Sequence, residues 1–238
     1  MSLRRTPPRG GGAEAYRRAK LPRGRTAWSE AGFCAVDLEM TGLDPERDEI
    51  VSFAAIPIEH GRVRLDEAVS GRARPRGESS EAAIRIHGLR AVDLAREPPL
   101  ERAIEPLLTA MAGRVPVVHV AAIERSFLAP VLRSRGVRLR KPMVDTSVLG
   151  TAWLFEAGPR AGDALEHGAD FGRPPALTAV AESLGLPVHH PHDALGDALT
   201  TAQVFIALAA HLDARRPQTV RSLTHVRPAH PPSAAPDR

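Results

Sequence analysis

Residues 33–58 (FCAVDLEMTGLDPERDEIVSFAAIPI) constrain the fold more than any other stretch of this chain. An apolar run carrying two acids, Asp37 and Glu39, breaks at Thr41-Gly42 and resumes as a second apolar run from Ile50 to Ile58. Successive side chains of a strand point to opposite faces, so the two acids share one face. Acids are poor strand formers, and like charges side by side on a sheet repel. Something has to compensate, and a divalent cation is the simplest candidate, because hard cations take carboxylate oxygens. The competing reading of this stretch alone is a pair of solvated acids at the open end of an edge strand.

The segments that follow predict one α/β domain. His60-Gly61 reads as a tight turn into a third strand, Arg62–Val69, so the first three strands form an antiparallel meander. A polar loop, 71–80, leads to a short helix, Glu81–Ile86, stopped by His87-Gly88, and to a short element at Val92-Asp93-Leu94. Pro98-Pro99 starts a helix with Leu100, Ile104, Leu107, Leu108 and Met111 on one face, which Pro106 should kink or split. Val115–Val120 reads as a buried strand, Ile123–Arg135 as a helix, and Met143–Asp145 as a last short strand. Residues 156–175 read as a long loop, followed by helices over Ala176–Leu184 and Asp193–Leu212. This order predicts a mixed sheet, three antiparallel strands followed by two further strands, flanked by helices.

Charge is unevenly spread. The chain carries +4 overall, but residues 1–30 carry +6 and residues 214–238 carry +4, leaving −6 on residues 31–213. An acidic body that handles nucleic acid needs arms or bound cations to offset phosphate repulsion. The composition of both arms, rich in Pro, Gly and Arg, predicts disorder, a basic arm over 1–30 and a Pro/Arg-rich tail over 214–238 flanking a domain at 31–213. Trp28 is read as the point where order begins. No apolar stretch is read as a membrane span, and the N-terminus lacks the apolar core of a secretory signal, so a membrane is not expected. The single cysteine, Cys34, suits a reducing, cytoplasmic compartment and reads as a buried small apolar residue.

Two more places supply acids. Glu124 opens a helix after a buried strand, in His119-Val120-Ala121-Ala122-Ile123-Glu124. Asp197 lies one turn inside the last long helix on an otherwise apolar face, five residues after His192. A buried acid there is costly without a partner of opposite charge. Four converging carboxylates and one histidine suit a site with two divalent cations, Mg²⁺ or Mn²⁺, in which imidazole takes a proton from water near neutral pH. His189, His190 and His192 as a zinc cluster is the weaker reading, since no matching His/Cys pair lies elsewhere.

These motifs resemble those of the DEDDh, or DnaQ-like, 3′–5′ exonucleases of the ribonuclease H-like fold, the family that includes the epsilon proofreading subunit of bacterial DNA polymerase III. Asp37-Leu38-Glu39-Met40-Thr41-Gly42 is similar to the family's D-x-E-T-T-G signature, with Met40 for a common threonine. His192 to Asp197 matches H-x-A-x-x-D in full, and Ile86-His87-Gly88-Leu89 resembles a segment that lies near substrate. The second motif departs: H-N-A-x-F-D becomes His119, Val120, Ala121, Ala122, Ile123 and Glu124, with Phe127-Leu128 retained. Glutamate keeps the charge but moves it by about one C–C bond, ~1.5 Å.

The resemblance implies hydrolysis at the 3′ end of single-stranded DNA, with Asp37, Glu39 and Asp197 holding two divalent cations, Glu124 assisting, and His192 as general base. It also implies that Met40, Thr41, Gly42, Leu43 and His87 contact the terminal nucleotide, and that a DNA polymerase is a possible partner. RNA trimming is the enzymatic alternative. A retired exonuclease fold, kept as a nucleic-acid or polymerase binding module, is the alternative of a different class. His119 reads as a packing or hydrogen-bonded residue, and Glu124 as an ordinary helix-start acid is its competing reading.

Overall fold

The computed structural model describes residues 11–157 and 174–226, with the side chains of 154–157 excepted. At its centre is the expected mixed sheet. Strands β1 (Phe33–Met40), β2 (Ile50–Glu59), β3 (Arg62–Val63), β4 (Val69–Arg72), β5 (Val115–Val118) and β6 (Val144–Asp145) are ordered β3-β2-β1-β5-β6, with β4 also paired to β2. β1 runs antiparallel to β2 and parallel to β5, so the acid-bearing strand is central and not an edge. The third strand expected over Arg62–Val69 is instead two short strands separated by a 3₁₀ turn at Leu65–Glu67. Arg64 grips Asp66 and Glu67 across that turn, and Arg114 takes the other oxygen of Glu67, which draws the chain out of the ladder.

The period-2 pattern of β1 and β2 divides the core in two. Phe33, Ala35, Ala54, Ile56 and Ile58 face the long helix Ala194–Arg215, which meets them with Ala198, Ala202, Phe205 and Ala209. The alanines let the helix axis approach the sheet, while Phe205 fills the space against Phe33 at 4.7 Å between ring centroids. Burying one such ring stabilises by roughly 1.5–3 kcal/mol. This helix is long and apolar enough by length and composition to cross a membrane, contrary to the expectation that no such stretch exists, but half of its most apolar window is buried in this core. Cys34, Val36, Leu38 and Phe53 face the other way, toward α5 (Glu105–Ala110) and α6 (Ala121–Ser134). Pro106 splits its helix as expected, leaving α4 (Leu100–Ala103) and α5 on either side of Ile104. Pro116 is tolerated inside β5 because the β6 ladder begins only at Val117. An unforeseen helix, α7 (Thr146–Ala157), occupies the start of the expected loop over 156–175, most of which lies outside the described residues.

The disordered arms need correction. Residues 11–18 form a helix, α1 (Gly11–Arg18), whose Tyr16 is buried between α5 and Arg140. The Tyr16 hydroxyl accepts from the Arg140 N–H, and the Arg140 guanidinium donates to the Tyr16 carbonyl. Gly11 and Gly12, read as part of a flexible run, form the close contact: a Cβ on Gly12 would lie 2.0 Å from the Glu105 carbonyl. The Glu105 carboxylate accepts the N–H groups of Gly12 and Ala13, filling the helix N-terminus. Likewise Val220 and Leu223, on the closing helix Val220–Thr224, are buried, and Ala27 pairs with Thr219. Order thus starts before Trp28, and the packed body extends on both sides of 31–213. Tyr16 on one arm, Val220 and Leu223 on the other, and a handful of main-chain bonds offset the ordering entropy that composition alone left unopposed. Residues 1–10 and 227–238 of the two arms lie outside the described residues.

Candidate active site

At the C-terminal end of β1 the pleat does what the sequence predicts. Asp37 lies opposite Ala54 and Glu39 opposite Ser52, and the register shifts between Glu39 and Met40, one residue before the strand ends. The long helix arrives over the same face. Its N-cap, Asp193, accepts from the N–H groups of Leu195 and Gly196 at 3.1 Å each, which fixes the first turn and swings Asp197 toward β1. Carboxylate oxygens of Asp37, Glu39 and Asp197 all lie within 4.8 Å of one another. Glu39 is only 9% exposed, so the solvated-edge reading of these acids is overturned.

The cost of this arrangement appears in the protonation of the acids. Burial, then the charges of Glu124, Asp197 and Glu39, hold the Asp37 carboxyl well above the usual carboxylate range. Burial and the charges of Asp197 and Asp193 push Glu39 up to about 8. Asp197 is raised by burial, against the opposing pull of the His192 N–H and ring.

Glu124 stands just behind this trio. It is 5% exposed, its Oε2 has no hydrogen-bond partner among the described residues, and burial is the main cause that lifts it to about 8. An ordinary helix-start acid would be solvated, so that reading fails here. The tight group consists of Asp37, Glu39 and Asp197, while Glu124 is near enough for Asp37 to feel its charge. Val120, which precedes α6, adopts a left-handed conformation with φ of 66°. Asp145, from the end of β6, accepts the N–H groups of Val120 and Ala121 and so caps α6 from outside.

His192 is exposed beside the cluster. Its main-chain N–H donates to Asp197 Oδ2 at 2.8 Å, at a left-handed φ of 64°. The loop carrying it rests on Gly196, where a Cβ would sit 2.2 Å from the His189 carbonyl oxygen. His189 points elsewhere, to Gln203 Oε1, and no histidine joins the tight acid group among the described residues. His119 is hydrogen-bonded at both nitrogens, to Thr146 Oγ1 and the Pro175 carbonyl, as a packing residue. His87 is also committed: Nδ1 accepts from the Leu89 N–H, so Nε2 carries the proton and donates to the Met40 carbonyl. That bond ties α2 (Glu81–His87) to the end of β1.

Thr41 is buried, Leu43 is 75% exposed beyond it, and Gly42 lies between them. Asp48, which the sequence reading missed, organises this loop by accepting from the Thr41 hydroxyl and the Asp44 N–H, each at 2.8 Å. A Cβ on Gly42 would run into the Asp48 carboxylate. Asp145 was missed as a positioning residue too. Its only sequence signal is an acid at the end of a short strand, which is weak.

The donor set fits hard divalent cations. It is built of oxygens, it includes an orphaned carboxylate atom, and it offers no Lys or Arg ion pair to any of the four acids among the described residues. With hard cations held among the acids, the trio, the histidine at its mouth and the exposed apolar loop beside it would suit a phosphate ester and the activation of water.

Comparison with known proteins places this geometry. The RNase_T family model, described as exonuclease, matches residues 34–205. A PolC-type DNA polymerase III from Thermotoga petrophila is 29% identical over 182 residues, 76% of this chain, but the chain spans only 12% of that relative's length. The DNA polymerase III subunit epsilon of Aquifex aeolicus is 25% identical over 181 residues and is covered to 81%. Among solved structures, exonuclease X in complex with 5′ overhanging duplex DNA is similar with a TM-score of 0.59 at 20% identity, covering 82% of this chain and 98% of that one. This likeness establishes the ribonuclease H-like fold.

Proposed function

The chain belongs to the RNase_T exonuclease family, and from that premise we propose that it removes nucleotides one at a time from the 3′ end of single-stranded DNA, releasing nucleoside 5′-monophosphates. The observation that carries this reading is the convergence of Asp37, Glu39 and Asp197 within 4.8 Å beside His192.

Asp37, Glu39 and Asp197 would hold two divalent cations, Mg²⁺ or Mn²⁺, with Glu124 completing the negative charge behind them. Bound there, the cations supply charge neutralisation at the phosphate and make water a better nucleophile at neutral pH. His192 accepts the proton from the attacking water. The water oxygen bonds to phosphorus, the bond from phosphorus to the 3′ oxygen of the preceding nucleotide breaks, that oxygen takes a proton from solvent, and His192 returns its proton to solvent. Asp197 keeps the His192 loop seated through its main-chain bond. Leu43 and the Met40 segment support the terminal base, and the Thr41-Gly42 backbone, fixed by Asp48, lines the nucleotide. His87, with both nitrogens occupied by main-chain atoms, contributes position rather than proton transfer. Association with a DNA polymerase is part of the proposal, drawn from the names of the relatives.

The test is a 5′-labelled single-stranded DNA incubated with Mg²⁺ and then Mn²⁺, beside an Asp37→Ala control. A metal-dependent ladder shortening from the 3′ end in the native protein alone is expected. Shortening of a matched RNA but not the DNA would move the substrate to RNA. No shortening of either would overturn the enzyme reading in favour of a binding module, once Glu124→Asp has also failed to restore cleavage.

A further inference from the structure

Beside the acid trio lies a cleft of about 140 Å³ that the reading above does not use, lined by Ser52, Ser70, Gly71, Arg72, Asp193 and Leu195. Its position follows from strand register. Glu39 is opposite Ser52, and Ser52 is opposite Arg72; Asp37 is opposite Ala54, and Ala54 is opposite Ser70. Directly paired residues of antiparallel strands point to the same face, so two rows run side by side across β1, β2 and β4. Each begins at a carboxylate of the site and ends at a polar residue on the sheet edge, two strand spacings or roughly 10 Å away. The same face therefore carries the acids at one end and an arginine at the other.

Arg72 is the uncommitted member of a basic edge. The alternation of Arg72, Arg74 and Arg76 around buried Ala73 leaves all three exposed. Arg74 donates to the Ala95 carbonyl, and Arg76 pairs with Glu49 and Glu101. Among the described residues the Arg72 guanidinium has no hydrogen-bond or ion-pair partner, although Asp93 feels its charge. The acid on the opposite wall, Asp193, is occupied by two main-chain N–H groups of the long helix. Leu195, 40% exposed, adds an apolar surface at the rim.

We propose that this cleft is a second phosphate subsite for the substrate strand, in which Arg72 binds the phosphodiester next to the one hydrolysed, with Ser70 beside it. The planar guanidinium fork matches two phosphate oxygens, and beside the acid cluster it gives the strand a cationic foothold beyond the metals. This rests on the exonuclease reading for its substrate, and it makes Arg72 a residue that governs strand binding rather than bond cleavage.

The experiment compares native protein, Arg72→Ala, Arg72→Lys and a control, Arg62→Ala, which removes an exposed arginine at the start of β3, beside the far end of β2. Two substrates are used: a single-stranded oligonucleotide, and the p-nitrophenyl ester of thymidine 5′-monophosphate, which has one phosphate and cannot reach the cleft. Arg72→Ala is expected to raise KM for the oligonucleotide about tenfold with kcat little changed, to leave the ester unaffected, and to be partly rescued in Arg72→Lys. On an Asp37→Ala background, where the oligonucleotide stays intact, Arg72→Ala should make the slope of log binding constant against log salt shallower by about 0.7. Unchanged KM and slope, an equal loss on both substrates, or an equal change in Arg62→Ala would each overturn the subsite. Should the native protein hydrolyse neither substrate, the exonuclease reading fails, and the salt slopes still decide whether Arg72 holds a phosphate.

Discussion

The two ends of the central sheet treat clustered acids in opposite ways. At the far end of β2, Glu59 and Glu67 close on one cation: Arg114 donates to Glu59 Oε1 at 2.6 Å, to Glu67 Oε2 at 3.0 Å and to the Ala110 carbonyl. At the near end, Asp37, Glu39, Glu124 and Asp197 gather with no arginine or lysine in ion-pair contact among the described residues. One end completes its electrostatics within the chain, as a structural site must. The other leaves them incomplete, which a chain tolerates only where something from outside completes them. The difference separates scaffold from function more sharply than burial does, since the acids at both ends are at least partly buried.

Breaking the near end should have the largest effect. Asp37→Asn is expected to lower the rate of DNA shortening by ~10³-fold, an order of magnitude drawn from the loss of preorganised charge stabilisation. The same change should raise the melting temperature of the metal-free protein, because it removes a carboxyl that burial and the neighbouring acids make costly to ionise. Loss of activity together with loss of stability would contradict the picture of an internally uncompensated site.

Breaking the far end should do the reverse. Arg114→Ala leaves Glu59 unpaired and Glu67 with Arg64 alone, and is expected to cost about 2 kcal/mol, taken below the fully buried range because the partners keep some solvent contact. Thermal unfolding should report a fall of roughly 5 °C, while activity per folded molecule stays unchanged.

The pH response sharpens the same contrast. Glu39 and Glu124 are raised to about 8 in the folded chain from ordinary values near 4.5. Between those values the folded state binds more protons than the unfolded state, so stability is fully present at the acid end and declines as pH rises through about 8. Melting temperatures of metal-free protein should therefore fall from pH 5 to pH 8. Millimolar Mg²⁺ should reverse the fall at pH 8, and Glu124→Gln should flatten it. A profile that rises over this range would remove the acid cluster as the dominant titrating group.

The smallest expected effect concerns backbone. Val120 holds a left-handed conformation that a β-branched residue adopts at a cost of about 1–2 kcal/mol. Val120→Asn should recover about 1 kcal/mol, read as a rise of a few degrees in melting temperature, because asparagine is tolerated there and the Asp145 cap is kept.

Much of the fold was legible because local rules were sufficient for it. Alternation in β1 placed Asp37 and Glu39 on one face, and the sheet puts them there, with Phe33 and Ala35 on the same side. Pro106 split its helix, and His60-Gly61 turned the chain with φ of 53° and 67°. The misread segments were those whose structure depends on distant partners. The third strand broke at Leu65–Glu67 because Arg114, nearly fifty residues away, holds Glu67. The N-terminal arm folded because Tyr16 meets Arg140 and because Glu105 caps α1, contacts that no local window contains.

By itself the sequence determined the chemical types at the site: three acids whose strand and helix spacings present them on defined faces, and a histidine five residues before the last of them. Only the tertiary structure decided that β1 is central rather than an edge, that Glu124 is buried with an oxygen left unpaired, that His87 is spent on main-chain bonds, and that Arg72 shares a face with Glu39 across two strands. The physical reason is range. Side-chain direction is set by the local backbone period, whereas desolvation, charge pairing and register depend on residues far apart in the chain that only folding brings together.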